Sequence, residues 1–132
     1  MSYGIIKALI NRRPPVPTSN VAVKKYIALI TQASTAAPSH GPVENTVGDI
    51  VWTRVQKGVY RGTSANAFTE YKTFLNINKT NANMDVIFVR ENVNSVIIMT
   101  NILFISVSGG TEDNEPADGL LNSASVEIIV YP

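Results

Sequence analysis

A cluster of prolines divides this chain into two parts with different residue patterns. Arg12–Pro17 contains three prolines, whose rings fix φ and remove N–H donors, so neither a helix nor a central strand continues through it. Residues 1–11 before the cluster are mainly apolar. After it, short β-branched and aromatic runs alternate with turn residues to the end. We therefore predict an N-terminal arm with a proline-rich tether at residues 1–20 and a folded body at residues 21–132.

The body pattern predicts an all-β fold, either an antiparallel sandwich or a barrel of seven to eight strands. Gly58 follows Gln56-Lys57 and supplies the positive φ that a tight hairpin turn needs. Residues 33–42 and 108–119 are predicted to be loops, and no long segment has a helical period. The predicted strands are residues 26–31, 50–55, 59–62, 71–76, 84–90, 96–99, 102–107 and 125–131, with 96–107 as one bent strand or a hairpin.

Composition restricts the classes of partner. Charged residues make up 16% of the 132-residue chain, against about 25% in typical domains, which suggests that other chains cover part of the surface. The net charge of +1 gives no electrostatic argument for a nucleic-acid partner. Val96–Val107, the longest apolar run, is too short and too polar to cross a bilayer as a helix. We predict a homo-oligomer with no nucleic-acid and no membrane partner.

The arm carries five large apolar side chains within ten residues. Burying them contributes about 1.5–3 kcal/mol each, whereas ordering ten backbone units costs about 1–2 kcal/mol each. The balance is near zero, so the arm needs a preformed groove on a partner, where either a helix or an added strand is compatible with the pattern. The predicted anchor residues are Tyr3, Ile5, Ile6, Leu9 and Ile10.

Residues that could carry catalysis are few. Four carboxylates, Glu112, Asp113, Glu115 and Asp118, lie in one polar segment without the ligand spacing of a calcium loop, and a solvated loop is the simpler interpretation. His40 is the single histidine and lies in a proline- and glycine-containing segment. Cysteine is absent, which excludes disulfides and thiolate zinc sites. We predict no enzyme activity, no metal and no cofactor, and keep a small hydrolase at the acidic segment as an alternative hypothesis.

Aromatic residues of the body have two interpretations. They either fill the core of a small β-domain or form a platform that stacks on a sugar ring. Under the second interpretation the chain is a carbohydrate-binding sandwich, with Trp52 and Tyr60 as the first positions to test. The aromatic residues concerned are Trp52, Tyr60, Phe68, Tyr71, Phe74 and Phe88.

The order of motifs from Lys25 to Phe74 resembles a known class of protein. Tyr26–Gln32 is followed by a Ser/Thr/Ala/Pro loop, by Val43–Gly48, by Ile50–Arg54 and by Gly58–Gly62, and Ala67–Phe74 ends the pattern. This order is similar to small β-rich virion proteins of tailed phages and prophages of Bacteroidetes, of the fibre, tail or head-decoration type. The resemblance covers about the first half of the body, excludes the arm and implies a structural role without catalytic residues.

The preferred hypothesis is therefore a phage virion structural protein, a head fibre or capsid decoration subunit at the virion surface. Its arm would dock on a capsid or another virion protein, and its body would self-associate, with a trimer expected from the resemblance to fibres. A fibre that binds a host glycan would satisfy the carbohydrate-binding hypothesis as well.

Overall fold

A computed structural model of the protein describes residues 22–105 and 112–132, and these contain nine β-strands and no helix. The strands are short, apart from the eleven-residue β7. They are β1 (Lys24–Thr31), β2 (Ser39–Asn45), β3 (Val51–Gln56), β4 (Val59–Thr63), β5 (Thr73–Ile77), β6 (Met84–Asn92), β7 (Ser95–Ile105), β8 (Glu112–Pro116) and β9 (Ala124–Val130).

The strands form two antiparallel sheets, which confirms the all-β prediction in its sandwich form. The four-stranded sheet has the order β2-β1-β9-β5, and the five-stranded sheet has the order β3-β4-β7-β6 with β8 also paired to β7. One edge of β7 pairs with β4 along Ser95–Met99 and with β8 along Asn101–Ile105. β5 lies against β6, so the two sheets meet along that side.

The core lies between the inner faces of the two sheets. β9 shows the period-2 alternation of a half-buried strand, because Val126, Ile128 and Val130 are buried while the residues between them are partly exposed. Tyr26 of β1 and Tyr60 of β4 are fully buried from opposite sheets. The other large core side chains are Ile30, Ile50, Trp52, Phe68, Met84, Val96, Ile98, Leu120 and Leu121.

Two tyrosine hydroxyls hydrogen-bond across the sandwich. The Tyr26 hydroxyl accepts from Trp52 Nε1 at 3.2 Å, and the Tyr60 hydroxyl lies 2.8 Å from Gln32 Oε1. Burial raises the pKa of both phenols above the ordinary value, because the charged form would lose its hydration. These contacts satisfy polar groups that would otherwise be costly in the core.

The strand predictions were wrong in two segments. β2 lies within and beyond the predicted loop 33–42, and β8 lies within the predicted loop 108–119. Both are pattern-poor strands at sheet margins: β2 is exposed along its whole length and contains Pro42, and β8 is rich in acidic residues. Such strands form through backbone pairing with a neighbour, and proline and charge are the residues that edge strands tolerate. Of the two alternatives for residues 96–107, the continuous strand is correct as far as Ile105.

Candidate functional site

The five predicted anchor residues, Tyr3, Ile5, Ile6, Leu9 and Ile10, lie outside the residues that the structure describes. The prediction for the arm therefore stays a prediction. Within residues 22–105 and 112–132, no helix has the length and apolar character needed to traverse a bilayer.

Trp52 and Tyr60 belong to the core. Tyr60 is fully buried, Trp52 is 5% exposed, and the Trp52 ring packs against Phe88 at a centroid distance of 6.3 Å. Neither side chain presents an open ring face to a ligand, so a stacking platform at these two positions is wrong. Phe68 is likewise fully buried, whereas Tyr71 and Phe74 are exposed.

The predicted acidic segment is divided between two environments. Asp113 and Glu115 are exposed on β8, opposite Phe104 and Ile102 of β7. Asp118 lies beyond the strand and is held in a hydrogen-bond network. Among the described residues, no group of three or more histidine, aspartate or glutamate side chains is placed to hold a metal ion.

His40 lies on strand β2 rather than in a loop. It is exposed, and its Nδ1 lies 2.7 Å from the Tyr26 hydroxyl. This contact connects the margin of the four-stranded sheet to the Tyr26–Trp52 pair inside the sandwich. The Tyr26 side chain is fully buried, so the contact gives His40 a role in packing.

The Asp118 carboxylate accepts hydrogen bonds from three residues of the β3–β4 hairpin. Arg54 Nη2 donates to Oδ2 at 2.7 Å and Arg54 Nε at 3.1 Å, while Gly58 N–H donates to Oδ1 at 3.0 Å. The Tyr60 hydroxyl lies 2.7 Å from the same Oδ1. The Arg54 guanidinium, with the Gly58 and Tyr60 donors, holds the pKa of Asp118 well below its usual range. Every partner is already engaged, so the arrangement is that of a structural ion pair.

Gln32, which directly follows β1, completes this network. Its Oε1 accepts from Gly119 N–H at 2.7 Å, and its Nε2 donates to the carbonyls of Ser34 and Ala36 at 2.9 and 3.0 Å. The Tyr60 hydroxyl has one proton, which serves either Asp118 or Gln32 at a given moment. Gln32 is buried, and sequence pattern alone offered no indication of its role.

The outer face of the five-stranded sheet carries a contiguous group of aliphatic side chains, here called the outer apolar block. Val59 pairs with Met99, which pairs with Ile87, and Ile97 pairs with Val89 in the adjacent register row. Ile87 and Val89 are 41% and 39% exposed, and the other three are half-buried. The block consists of Val59, Ile87, Val89, Ile97 and Met99.

The outer face of the four-stranded sheet differs from this block. Glu44, Ile27 and Glu127 follow one another across one register row, and Lys25 pairs with Ile129 in another. Charged side chains thus interrupt its apolar residues, which include Leu29 at 47% exposure. The sequence partly indicates this difference between the two outer faces. β7 is a nearly continuous apolar run, and such a run in an antiparallel sheet places apolar side chains on both faces.

A cavity of about 300 Å³ lies at one end of the sandwich, beside the first residues of β1 and the last of β9. Its lining includes Lys24, Asn66, Thr69, Lys72, Val130 and Tyr131. The Tyr131 ring meets the Phe74 ring edge to face at a centroid distance of 5.4 Å. None of these residues was singled out for this position from sequence, because they come from three distant segments.

Comparison of the chain with protein-family models, with curated proteins and with solved structures gave no match. The described residues form an antiparallel β-sandwich with an apolar block on one outer sheet face and a cavity beside the first residues of β1.

Proposed function

We propose that this chain is a structural subunit of a phage particle, a head fibre or capsid decoration protein that self-associates through its body and attaches through residues 1–20. The observation that carries self-association is the outer apolar block. The phage context is supported by the resemblance of residues 25–74 to virion proteins, and the attachment role by the apolar arm and its proline tether. The proposal assigns no catalytic residue.

The outer apolar block is the surface expected to pair with another copy. Antiparallel sandwiches that stay monomeric normally place polar residues on their outer faces. Single apolar side chains scattered over such a face are common and do not indicate an interface. Five neighbouring aliphatic side chains across β4, β7 and β6 form a contiguous patch, which marks an interaction surface. The ion pair between Arg61 and Glu91, at 2.7 Å, lies beside this patch as a polar rim.

Self-association of the body strengthens attachment through the arm. A body that forms a closed symmetric oligomer, with a trimer as the expectation, presents several arms at once. Each arm by itself has a free energy of docking near zero by the balance above. When one arm has docked, the others bind at a raised effective concentration, so the oligomer attaches far more strongly than one chain.

Introducing a charge into the outer apolar block should dissociate the oligomer without unfolding the body. Ile87→Lys places an ammonium group on the β6 side of the outer apolar block, where its desolvation opposes association. We expect light scattering during size exclusion to show a wild-type oligomer and a monomeric Ile87→Lys variant with an unchanged circular dichroism spectrum. Leu29→Lys, on the outer face of the other sheet, is the matched control and should retain the oligomer. A wild-type monomer, or an Ile87→Lys oligomer, would contradict the proposed interface.

Deleting residues 1–11 should leave a folded and oligomeric body that no longer joins particles. A full-length variant with Tyr3, Ile5, Ile6, Leu9 and Ile10 replaced by serine should behave in the same way, because it keeps the tether and loses the apolar anchors. Lys7→Ser is the control in the same segment and should be incorporated normally. The measurement is the amount of each chain in purified particles, and normal incorporation of the serine variant would refute the anchor.

A further inference from the structure

We propose that the cavity beside the first residues of β1 and the last of β9 binds an acidic saccharide, with its carboxylate held by Lys24 and Lys72 and its ring against Tyr131. This inference goes beyond the proposed structural role and does not depend on it. It moves carbohydrate recognition from Trp52 and Tyr60, which are buried, to a different part of the body.

Two lysines line the cavity, one from each of the two segments that flank the end of β9. Lys24 is the register partner of Val130, and the Lys72 carbonyl accepts from Tyr131 N–H at 2.9 Å on the other side. Lys24 and Lys72 supply the charged side chains of the lining, which also includes Pro132. Within the described part of the chain, neither ammonium group takes part in an ion pair. The site therefore favours an anionic group.

The same end of the molecule exposes an aromatic cluster. Tyr131 is 45% exposed and lines the cavity, and Phe74, at 61%, supports its ring from the side. Tyr71, next to Lys72, is 94% exposed and has a φ of 62°, a left-handed conformation that a bulky residue rarely adopts. Strained residues with exposed functional side chains are concentrated at binding sites. Aromatic faces beside polar groups are suited to the apolar face of a sugar ring.

Size and polarity narrow the class of ligand. About 300 Å³ is at the lower limit of ordinary small-molecule sites, which suits one or two sugar rings. Asn66 and Thr69 add hydrogen-bonding groups for sugar hydroxyls. A simple anion would bind the two lysines and make no contact that requires the Tyr131 ring. A neutral sugar would stack on Tyr131 and make no ion pair with the lysines. An acidic saccharide uses all of these groups.

The test is calorimetric titration of the full-length chain with glucuronic acid, galacturonic acid and N-acetylneuraminic acid, beside glucose, phosphate and sulfate. We expect at least one acidic sugar to bind more tightly than both glucose and the inorganic anions, and to weaken as salt is raised. Lys72→Met and Tyr131→Leu should each weaken binding by about tenfold, equivalent to about 1.4 kcal/mol. Lys79→Met is the matched control, because Lys79 follows β5 at the end opposite Val130.

Each other outcome overturns the proposal. If phosphate or sulfate binds as tightly as the acidic sugars and Tyr131→Leu has no effect, the cavity is a simple anion site. If glucose binds as tightly as the acidic sugars, the lysines do not contribute to recognition. Absence of binding by all three acidic sugars would remove the site. Unfolding curves of the variants accompany the titrations, and Lys24→Met provides a second charge variant if Lys72→Met is destabilised. None of these failures changes the oligomer or attachment results, so they are distinguishable from failure of the proposed function.

Discussion

Replacing Gly58 by alanine is expected to lower the free energy of unfolding by about 2–5 kcal/mol, a large part of the stability of a typical domain. A Cβ atom at Gly58 would lie 2.5 Å from the Thr100 carbonyl oxygen and 2.8 Å from the Ala117 backbone nitrogen. Both neighbours are backbone atoms, so a rotamer change cannot relieve the overlap. The turn between β3 and β4 would have to move away from β7 and from the segment after β8.

Substitutions at two other glycines distinguish the steric overlap from the cost of the left-handed backbone conformation. Gly119 has a similar φ of +78°, against +71° for Gly58, but a Cβ there would meet nothing within 4 Å. Gly119→Ala should therefore show the conformational cost alone, about 1–2 kcal/mol. Gly41→Ala, on exposed β2 with open space around its Cβ position, should be close to neutral. The measurement is urea unfolding of the three variants, and equal losses for Gly58→Ala and Gly119→Ala would refute the steric argument.

Replacing Asp118 by asparagine should lower the free energy of unfolding by about 2–3 kcal/mol. The carboxylate is 14% exposed and accepts from Arg54, Gly58 N–H and Tyr60. Asparagine keeps one acceptor oxygen but places an amide donor among these three donors. The contacts that weaken are those between the β3–β4 hairpin and the segment before β9.

The effect of Asp118→Asn should depend on pH with a defined sign. The folded pKa of Asp118 is lowered, chiefly by hydrogen bonds from Arg54. The stabilisation is therefore complete above the unfolded carboxyl pKa of about 3.9, and it is lost progressively as the pH falls from that value through the folded pKa. We expect the difference between wild type and Asp118→Asn to shrink when urea unfolding is repeated at about pH 3 instead of about pH 7.

Glu91→Gln is the matched control for Asp118→Asn. Arg61 Nε and Nη2 donate to the two oxygens of Glu91 at 2.7 and 2.9 Å, a geometry similar to that of the Arg54–Asp118 pair. The Arg61 and Glu91 side chains are 39% and 34% exposed, so solvent screens their attraction. A much smaller loss is expected for Glu91→Gln, and equal losses in the two variants would contradict the importance of burial for Asp118.

Much of the strand content was predictable from local pattern. Residues 125–131 alternate in the period of a half-buried strand, and Gly58 marks the hairpin turn that the structure contains. β2 and β8 were missed because their stability comes from pairing with β1 and β7 and not from their own side chains. Their margin positions accept proline and carboxylates, which local pattern assigns to loops.

The candidate sites were less predictable than the fold. The cavity combines residues from the start of β1, the segment before β5 and the end of β9, and no local motif connects these three segments. The outer apolar block was partly visible in the apolar run of β7. Its extension to Val59 and Ile87 depends on the strand order β4-β7-β6. The anchor residues of the arm remain a sequence prediction.

The sequence by itself determined the all-β class and the hairpin at Gly58, since each depends on backbone preferences within a few residues. Only the tertiary structure decided which side chains of β7 face outward, and that Asp118 meets Tyr60, 58 positions away along the chain. The physical reason is that register and layer packing are set by pairing between distant segments, and neighbouring residues do not encode that pairing.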